Sequence, residues 1–416
     1  MTATVTKDRI LTPGADGCEM RRHKSRDIPL SRPSFSAYED GHARRSIYDA
    51  QVEELLTMCD AAPTVQFDEL GPMTKLGEGE FCIASSSSLW GSPVAVKMLK
   101  PVKAKEAMAR SDLSRETQLL ARMRHENIIS VIAHGVYKSP HAVDELSFIC
   151  LEVLATTLAS ELPPSNSNSS PWVRKAAVKA WPVQRALQVG VQIARAMEYC
   201  HDLWMPGYRL LHRDLKPNNV GFTASGRVVL FDFGLCKLWA NRADEAHAND
   251  LRKLTGLTGS LRYMAPEVAL CQPYNHKAEV FSFASLLFEM LAHQKPFYWM
   301  TPDDFMRDVC QGGRRCKIPK GTPDGVADLL NVCWEQDSAK RPEFRDIVRS
   351  LEVILAQLPE YTYVRPGGSR PASAPMRRTS SCNAATTTTE TRPSSADSPP
   401  ARRPKKPGSF FGRLFS

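Results

Sequence analysis

The chain has 416 residues, 24% of them charged and 42% apolar, with 54 Lys+Arg against 45 Asp+Glu and a formal net charge of +9. That apolar share supplies a sizeable packed core and excludes a collagen-like or wholly disordered chain, while the length allows one large domain or a few small ones. No window approaches about 18 uninterrupted apolar residues, the N-terminus lacks an apolar signal core, and none of the 11 cysteines stands in a C-x-x-C pair, so a membrane-spanning, secreted or disulfide-framed protein is not expected.

In chain order, residues 1–65 read as a largely disordered leader in which Ile47, Val52, Leu55, Leu56 and Cys59 share one helical face, predicting a short helix over 46–59. Short apolar runs separated by glycines, Leu76–Gly79, Phe81–Ala84 and Val94–Met98, predict twisted antiparallel strands. Residues 103–124 are charged, with Leu113, Leu119, Leu120 and Met123 as the apolar positions, which predicts a helix exposed on one side. Ile128–Ile132 and Leu146–Leu154 would return to the sheet, and the polar stretch Leu162–Pro171 reads as a surface loop. Helices follow at Val183–Cys200, Val280–Leu291, Gly325–Trp334 and Phe344–Leu358. The expected class is α+β, with a β-rich lobe carrying one helix (66–150) and a larger, mostly helical lobe (151–358). Residues 359–416 form a Ser/Thr/Pro-rich tail too poor in apolar residues to offset its chain entropy. From residue 365 on it holds ten Lys/Arg against Glu390 and Asp397, so +8 of the +9 belongs to the tail.

The first chemical signal is Gly77-Glu78-Gly79 after a strand, where small residues let backbone N–H groups approach a phosphate. Alone it reads better as an ordinary hairpin turn. Lys97, in Val94-Ala95-Val96-Lys97, reads alone as a strand lysine with a snorkelling head, and Glu116 as a solvated helix face. The decisive run is Leu211-His212-Arg213-Asp214-Leu215-Lys216-Pro217-Asn218-Asn219, followed by Asp232-Phe233-Gly234 after an apolar strand and then Ala265-Pro266-Glu267. Phosphoryl transfer needs positioning, a metal bridge and charge neutralisation. A carboxylate and a carboxamide for Mg²⁺, a lysine for phosphates and an aspartate for the acceptor hydroxyl meet that need.

In order and spacing these residues resemble the eukaryotic protein kinase family over roughly residues 70–358. The resemblance implies a bilobal fold, ATP and Mg²⁺ as cofactors, and protein substrates. It casts Lys97 as the lysine that holds the α/β-phosphates and Glu116 as its helix partner. Asp214 becomes the catalytic base, Lys216 the loop lysine at the transferred phosphate, and Asn219 and Asp232 the metal ligands. Gly77, Glu78, Gly79, Ala84 and Ala95 would surround the nucleotide, with Leu151 as gatekeeper and backbone groups of Glu152 and Leu154 near the adenine. Glu267 would pair with Arg341. The phrase from Thr258 to Glu267 and the later Cys333-Trp334 resemble the tyrosine-kinase-like group, whose members mostly act on Ser/Thr. Lys216 supports Ser/Thr acceptors, and Ser260 stands where a hydroxyl bonds the catalytic aspartate.

Four positions depart from the pattern. Cys82 replaces the third glycine of the phosphate loop, Ala84 a valine above the adenine, and Gly221 a leucine beneath it. Losing two apolar side chains, each worth about 1.5–3 kcal/mol when buried, predicts a loosened nucleotide sandwich and a raised KM for ATP. Glu279 stands in place of an aspartate that holds the His212–Asp214 backbone and anchors the stack Leu120, Val131, His212 and Phe233. It is expected to accept the same bonds if its helix shifts slightly. These departures motivate the alternative of a pseudokinase scaffold. Arg213 before Asp214 resembles kinases switched on by activation-loop phosphorylation, with Thr255 and Thr258 as acceptors for an upstream activating kinase. Arg377-Arg378-Thr379-Ser380-Ser381 reads as a basophilic kinase substrate or as plain filler. The terminal Arg402–Lys406 cluster with Phe410, Phe411 and Phe415 suits an anionic membrane surface, an import signal or a docking partner. No nucleic-acid partner is expected, since the body lacks an aromatic-interleaved basic stripe. The expected location is cytoplasmic, with nuclear entry through the tail as the alternative.

Overall fold

The computed structural model describes residues 61–139, 145–163, 171–240 and 250–361. The helix expected over 46–59 and the basic tail from 362 on lie outside these residues.

The N-terminal lobe is a five-stranded antiparallel sheet in the order β1-β2-β3-β5-β4, built from β1 (Thr74–Glu78), β2 (Cys82–Leu89), β3 (Ser92–Leu99), β4 (Val131–Tyr137) and β5 (Leu146–Leu151). Helix α1 (Ala107–Leu120) packs on it through Leu113, Leu119 and Leu120, and it buries Glu116 on the same face. Its first residue is 107 rather than 103, because the chain after Pro101 is taken up by successive turns such as Ala104 N–H to Lys100 O. Strand β4 starts at Val131 rather than Ile128. Residues 127–129 leave the sheet and pair instead with Leu230 of the lower lobe, through Leu230 N–H to Asn127 O and Ile129 N–H to Leu230 O.

The C-terminal lobe centres on α3 (Val183–Glu198) and α4 (Lys277–Ala292). Helices α5 (Asp324–Cys333) and α6 (Phe344–Ala356) pack around them, and α2 (Pro171–Lys179) precedes α3. Helix α2 starts at the residue where the polar loop was expected to end, and no helix was expected there. Two small antiparallel sheets lie toward the cleft: β6 (Thr156–Thr157), β8 (Val220–Phe222) and β9 (Val228–Leu230) in one, β7 (Tyr208–Leu211) with β10 (Lys237–Ala240) in the other. The large core cluster runs from Val326 and Leu351 through Phe281 and Leu187 up to Leu119, Leu120 and Met123 of the α1 end. A smaller cluster of Val65, Leu89, Val94, Val96, Ala133, Phe148 and Cys150 fills the upper sheet.

Candidate active site

Strand β3 pairs with β2 and β5 and sets Lys97 opposite Ala84 and Ile149. From there the Lys97 ammonium reaches Glu116 Oε1 at 2.7 Å and Oε2 at 2.9 Å, and Asp232 Oδ1 at 2.8 Å. Glu116 Oε1 also accepts the Phe233 N–H at 3.2 Å. Lys97 and Glu116 are 5% and 3% exposed, so neither charge would stand there unpaired. Burial alone would lower the Lys97 pKa, but Asp232 and Glu116 reverse it and hold the ammonium well above its ordinary value. Burial raises Glu116. For Asp232 burial pulls the same way but is outweighed by Lys97, so its carboxyl stays below the ordinary range and ionised. Asp232 also has φ +64°, a left-handed backbone that turns its side chain back toward Lys97.

Strand β7 delivers the second group. Both Asp214 carboxylate oxygens are engaged: Oδ2 by the Lys216 ammonium at 2.9 Å and Asn219 Nδ2 at 3.1 Å, Oδ1 by the Ser260 hydroxyl at 3.1 Å. Asn219 Nδ2 donates to the Asp214 carbonyl as well, at 2.8 Å, which leaves its side-chain oxygen as the acceptor end. The loop is held from below by Glu279, whose Oε1 accepts the Arg213 N–H and whose Oε2 accepts from His201 Nε2, each at 2.5 Å. His201 sits in a π-helical turn that continues α3, with Trp204 N–H bonded to Tyr199 O. The glutamate thus spans two donors from separate elements. Leu120, Val131, His212 and Phe233 are all buried, and the His212 and Phe233 rings meet edge-on at 4.7 Å.

An apolar cavity opens between β1–β3 and the segment after β5, lined among others by Leu76, Ala84, Ala95, Lys97, Glu116, Leu151, Glu152, Leu154 and Asp232. Of the residues expected around a nucleotide, Gly77, Glu78 and Gly79 do not line this cavity; they sit at the β1–β2 end, where Glu78 pairs with Lys75 at 2.8 Å on the surface. Glu152 turns its carboxylate away, accepting from Ser130 N–H at 2.8 Å and Arg227 at 2.6 Å. The floor expected to be bare at Gly221 is not bare. A Cβ placed there would lie 2.6 Å from Leu154 Cδ1, so the Leu154 side chain occupies the space that a larger residue would take. Of the two lost apolar contacts only the one above, at Ala84, is left without a replacement. Burial lifts the Cys82 thiol to about 12, which makes it an apolar strand residue rather than a nucleophile.

Residues 235–240 and 250–262 include groups that meet the loop carrying Asp214. Arg213 donates from Nε to the Leu235 carbonyl at 2.7 Å and from a terminal nitrogen to the Thr255 hydroxyl at 2.8 Å. Thr258 turns its hydroxyl inward onto Thr255 O at 3.0 Å, and Tyr274 donates to the same carbonyl at 3.1 Å. Glu267 and the fully buried Arg341 form a two-pronged pair at 2.6 and 3.0 Å. Sequence reasoning missed three participants: His201, Tyr274, and the Leu154 side chain as opposed to its backbone. No local motif marks the first two, and the third follows only from reading Gly221 together with the strand pairing of β6 and β8.

The sequence profile of the protein tyrosine and serine/threonine kinase family matches residues 71–351. Among curated proteins, similar chains include serine/threonine-protein kinase STY17 of Arabidopsis thaliana, 27% identical over 82% of this chain and 55% of the relative. Serine/threonine-protein kinase VIK of the same plant is 32% identical over 68% and 60%, and its serine/threonine/tyrosine-protein kinase HT1 is 30% identical over 62% and 60%. The chain thus spans 55–60% of the length of these three relatives.

Proposed function

The chain belongs to the protein tyrosine and serine/threonine kinase family, and from that premise we propose that it is an active protein kinase, transferring the γ-phosphate of ATP to Ser/Thr hydroxyls of protein substrates. The observation that carries this reading is the Lys97 ammonium shared between Glu116 and Asp232. It supports Lys97 as the phosphate-binding cation and Asp232 as the metal-binding carboxylate. The residues fit the cofactors of the family: the Asp232 side chain is 36% exposed while Lys97 is closed off at 6%, so an ionised carboxylate faces the cavity. Among the described residues no cluster of three His, Cys, Asp or Glu side chains could hold a metal alone. A Mg²⁺ held by Asp232, the Asn219 oxygen and substrate phosphates is the arrangement such a pair suits. When bound, Mg²⁺ neutralises charge on the phosphates. Asp214, oriented by Asn219 and Ser260, accepts the proton of the acceptor hydroxyl. Lys216, 2.9 Å from it, stabilises charge on the transferred group. All of the Lys97, Asp214, Asn219 and Asp232 machinery is in place, which speaks against the pseudokinase alternative.

The same reading extends to regulation. The Arg213 guanidinium already bonds the Thr255 hydroxyl, so a phosphate on Thr255 would gain a charge-assisted pair without rearranging the arginine. Thr255 is therefore the proposed regulatory acceptor, and Thr258, bonded inward, is not. The donor would be an upstream kinase or a second copy of this chain. A cytoplasmic location is supported by the free state of every described cysteine. Incubation with Mg-ATP followed by phosphoamino-acid analysis tests both parts. The expected label is on Ser/Thr, with Thr255→Ala lowering activity about tenfold and Thr258→Ala leaving it within twofold. Phosphotyrosine as the main product, or full activity in Thr255→Ala, would contradict the proposal.

A further inference from the structure

The cavity's floor is assembled differently from its walls. After β5 the chain runs Glu152-Val153-Leu154, then Ala155 N–H bonds the Phe222 carbonyl at 2.8 Å, and β6 pairs Thr156 with Phe222 and Thr157 with Gly221. This pairing ties the segment down onto β8. Val153, 37% exposed, and Leu154 both join the lining of the cavity. At Gly221 a Cβ would stand 2.6 Å from Leu154 Cδ1, 3.4 Å from its Cγ and 3.3 Å from Phe231 Cε1. Carbon atoms meet at about 3.5–4.0 Å. A side chain at 221 and Leu154 in its present position therefore exclude each other.

We infer that Leu154 is the affinity-determining floor of the nucleotide site, a role moved from β8 to the strap after β5, and that Gly221 is its receptor rather than a gap. The inference rests on the reading of this cavity as a nucleotide site. It makes one residue serve twice. No backbone hydrogen bond among the described residues uses the Leu154 N–H or carbonyl, so these groups remain for the edge of the base while the side chain supports its face. Ala84 above is small, so the loss of Leu154 from the underside would not be made good from that position. With Leu154 in the space beside Gly221, the raised KM for ATP expected from Ala84 and Gly221 together rests on Ala84 alone.

The test is a reciprocal exchange, read by titration of the full chain with a fluorescent N-methylanthraniloyl-ADP and Mg²⁺. The KM for ATP, kcat and melting temperature of each variant are measured alongside. Leu154→Ala should weaken nucleotide binding about tenfold, from the lost apolar burial, and raise KM while kcat stays within about twofold. Gly221→Leu alone should also weaken binding, because two side chains then compete for one space. The double variant Leu154→Ala/Gly221→Leu should return to within about threefold of wild type, a coupling that independent sites would not give. Leu154→Ala binding as tightly as wild type would overturn the inference. So would a double variant no better than Leu154→Ala, with its melting temperature retained. A wild-type chain with no saturable nucleotide binding would instead sink the nucleotide reading, which separates the two failures.

Discussion

At the scale of single residues, the site is built by charges that compensate one another in pairs and triangles. Lys97 is buried only because Glu116 and Asp232 share it, and Asp214 keeps both oxygens bonded. These residues were legible because short linear motifs tie each to its neighbours in sequence. His201 was not, since it lies 78 residues from Glu279 and no spacing rule links them. Glu279 is the departure with the clearest consequence. It was expected to accept the loop's backbone bonds if its helix shifts slightly, and it accepts from both His201 and the Arg213 N–H. Glu279→Asp, one methylene shorter, can hold one of these donors but not both. Losing a charged hydrogen bond of this kind predicts kcat lowered about tenfold with the KM for ATP nearly unchanged; wild-type kcat would contradict it. Burial would raise the Glu279 pKa, but His201 and the Arg213 amide outweigh it and hold the carboxyl below 4.5. A group lowered in the folded state stabilises above its unfolded value and loses that contribution as pH falls through the folded one. Glu279→Gln should therefore be less stable than wild type at pH 7. The difference should shrink as pH falls below about 4.5; a gap independent of pH in denaturant titrations would refute this.

At the scale of elements, the sequence located α3 to α6 of the lower lobe and the three leading strands, since their periodicities are strong, but not α2. It misplaced boundaries where tertiary pairing overrides local pattern. Ile128 and Ile129 look like strand residues, but they lie outside any strand and make an isolated bridge with Leu230 rather than joining the upper sheet. The segment before β1 carries no strand signal, yet Thr64 bridges His134 of β4 in parallel. Val65 N–H donates to His134 O at 2.9 Å, His134 N–H to Pro63 O at 3.0 Å, and Ala62 N–H to Ala121 O at 2.7 Å. This strap covers the β4 edge and fastens the end of α1, the helix that carries Glu116. It passes so close to β4 that a Cβ at Gly135 would collide with the Val65 carbonyl and lie 2.7 Å from the Phe148 ring. Gly135→Ala should thus displace the strap, costing about 1–3 kcal/mol as overpacking does, and amide exchange at Val65 and Ala62 should accelerate. Unchanged protection at those amides would show that the strap does not need the glycine.

At the scale of the whole molecule, the two lobes are not independent. The large core cluster includes Ala62, Leu119, Leu120, Met123 and Ile149 alongside the lower-lobe helices, so the position of α1, and with it Glu116, is set partly by packing from below. The net charge of +9 has no share in this arrangement. Its excess is concentrated from residue 365 on, beyond the described residues, and the charges that organise the site are local and buried. The central claim is that Lys97, Asp214, Asn219 and Asp232 form working phosphoryl-transfer machinery. It is tested most directly by the rate of phosphate transfer from Mg-ATP in wild type, Asp214→Asn and Asp232→Ala, each purified in parallel and shown to be folded. Transfer to Ser/Thr by wild type and a fall of at least about a thousandfold in both variants are expected. Equal rates in all three, or nucleotide binding by wild type with no transfer, would contradict it.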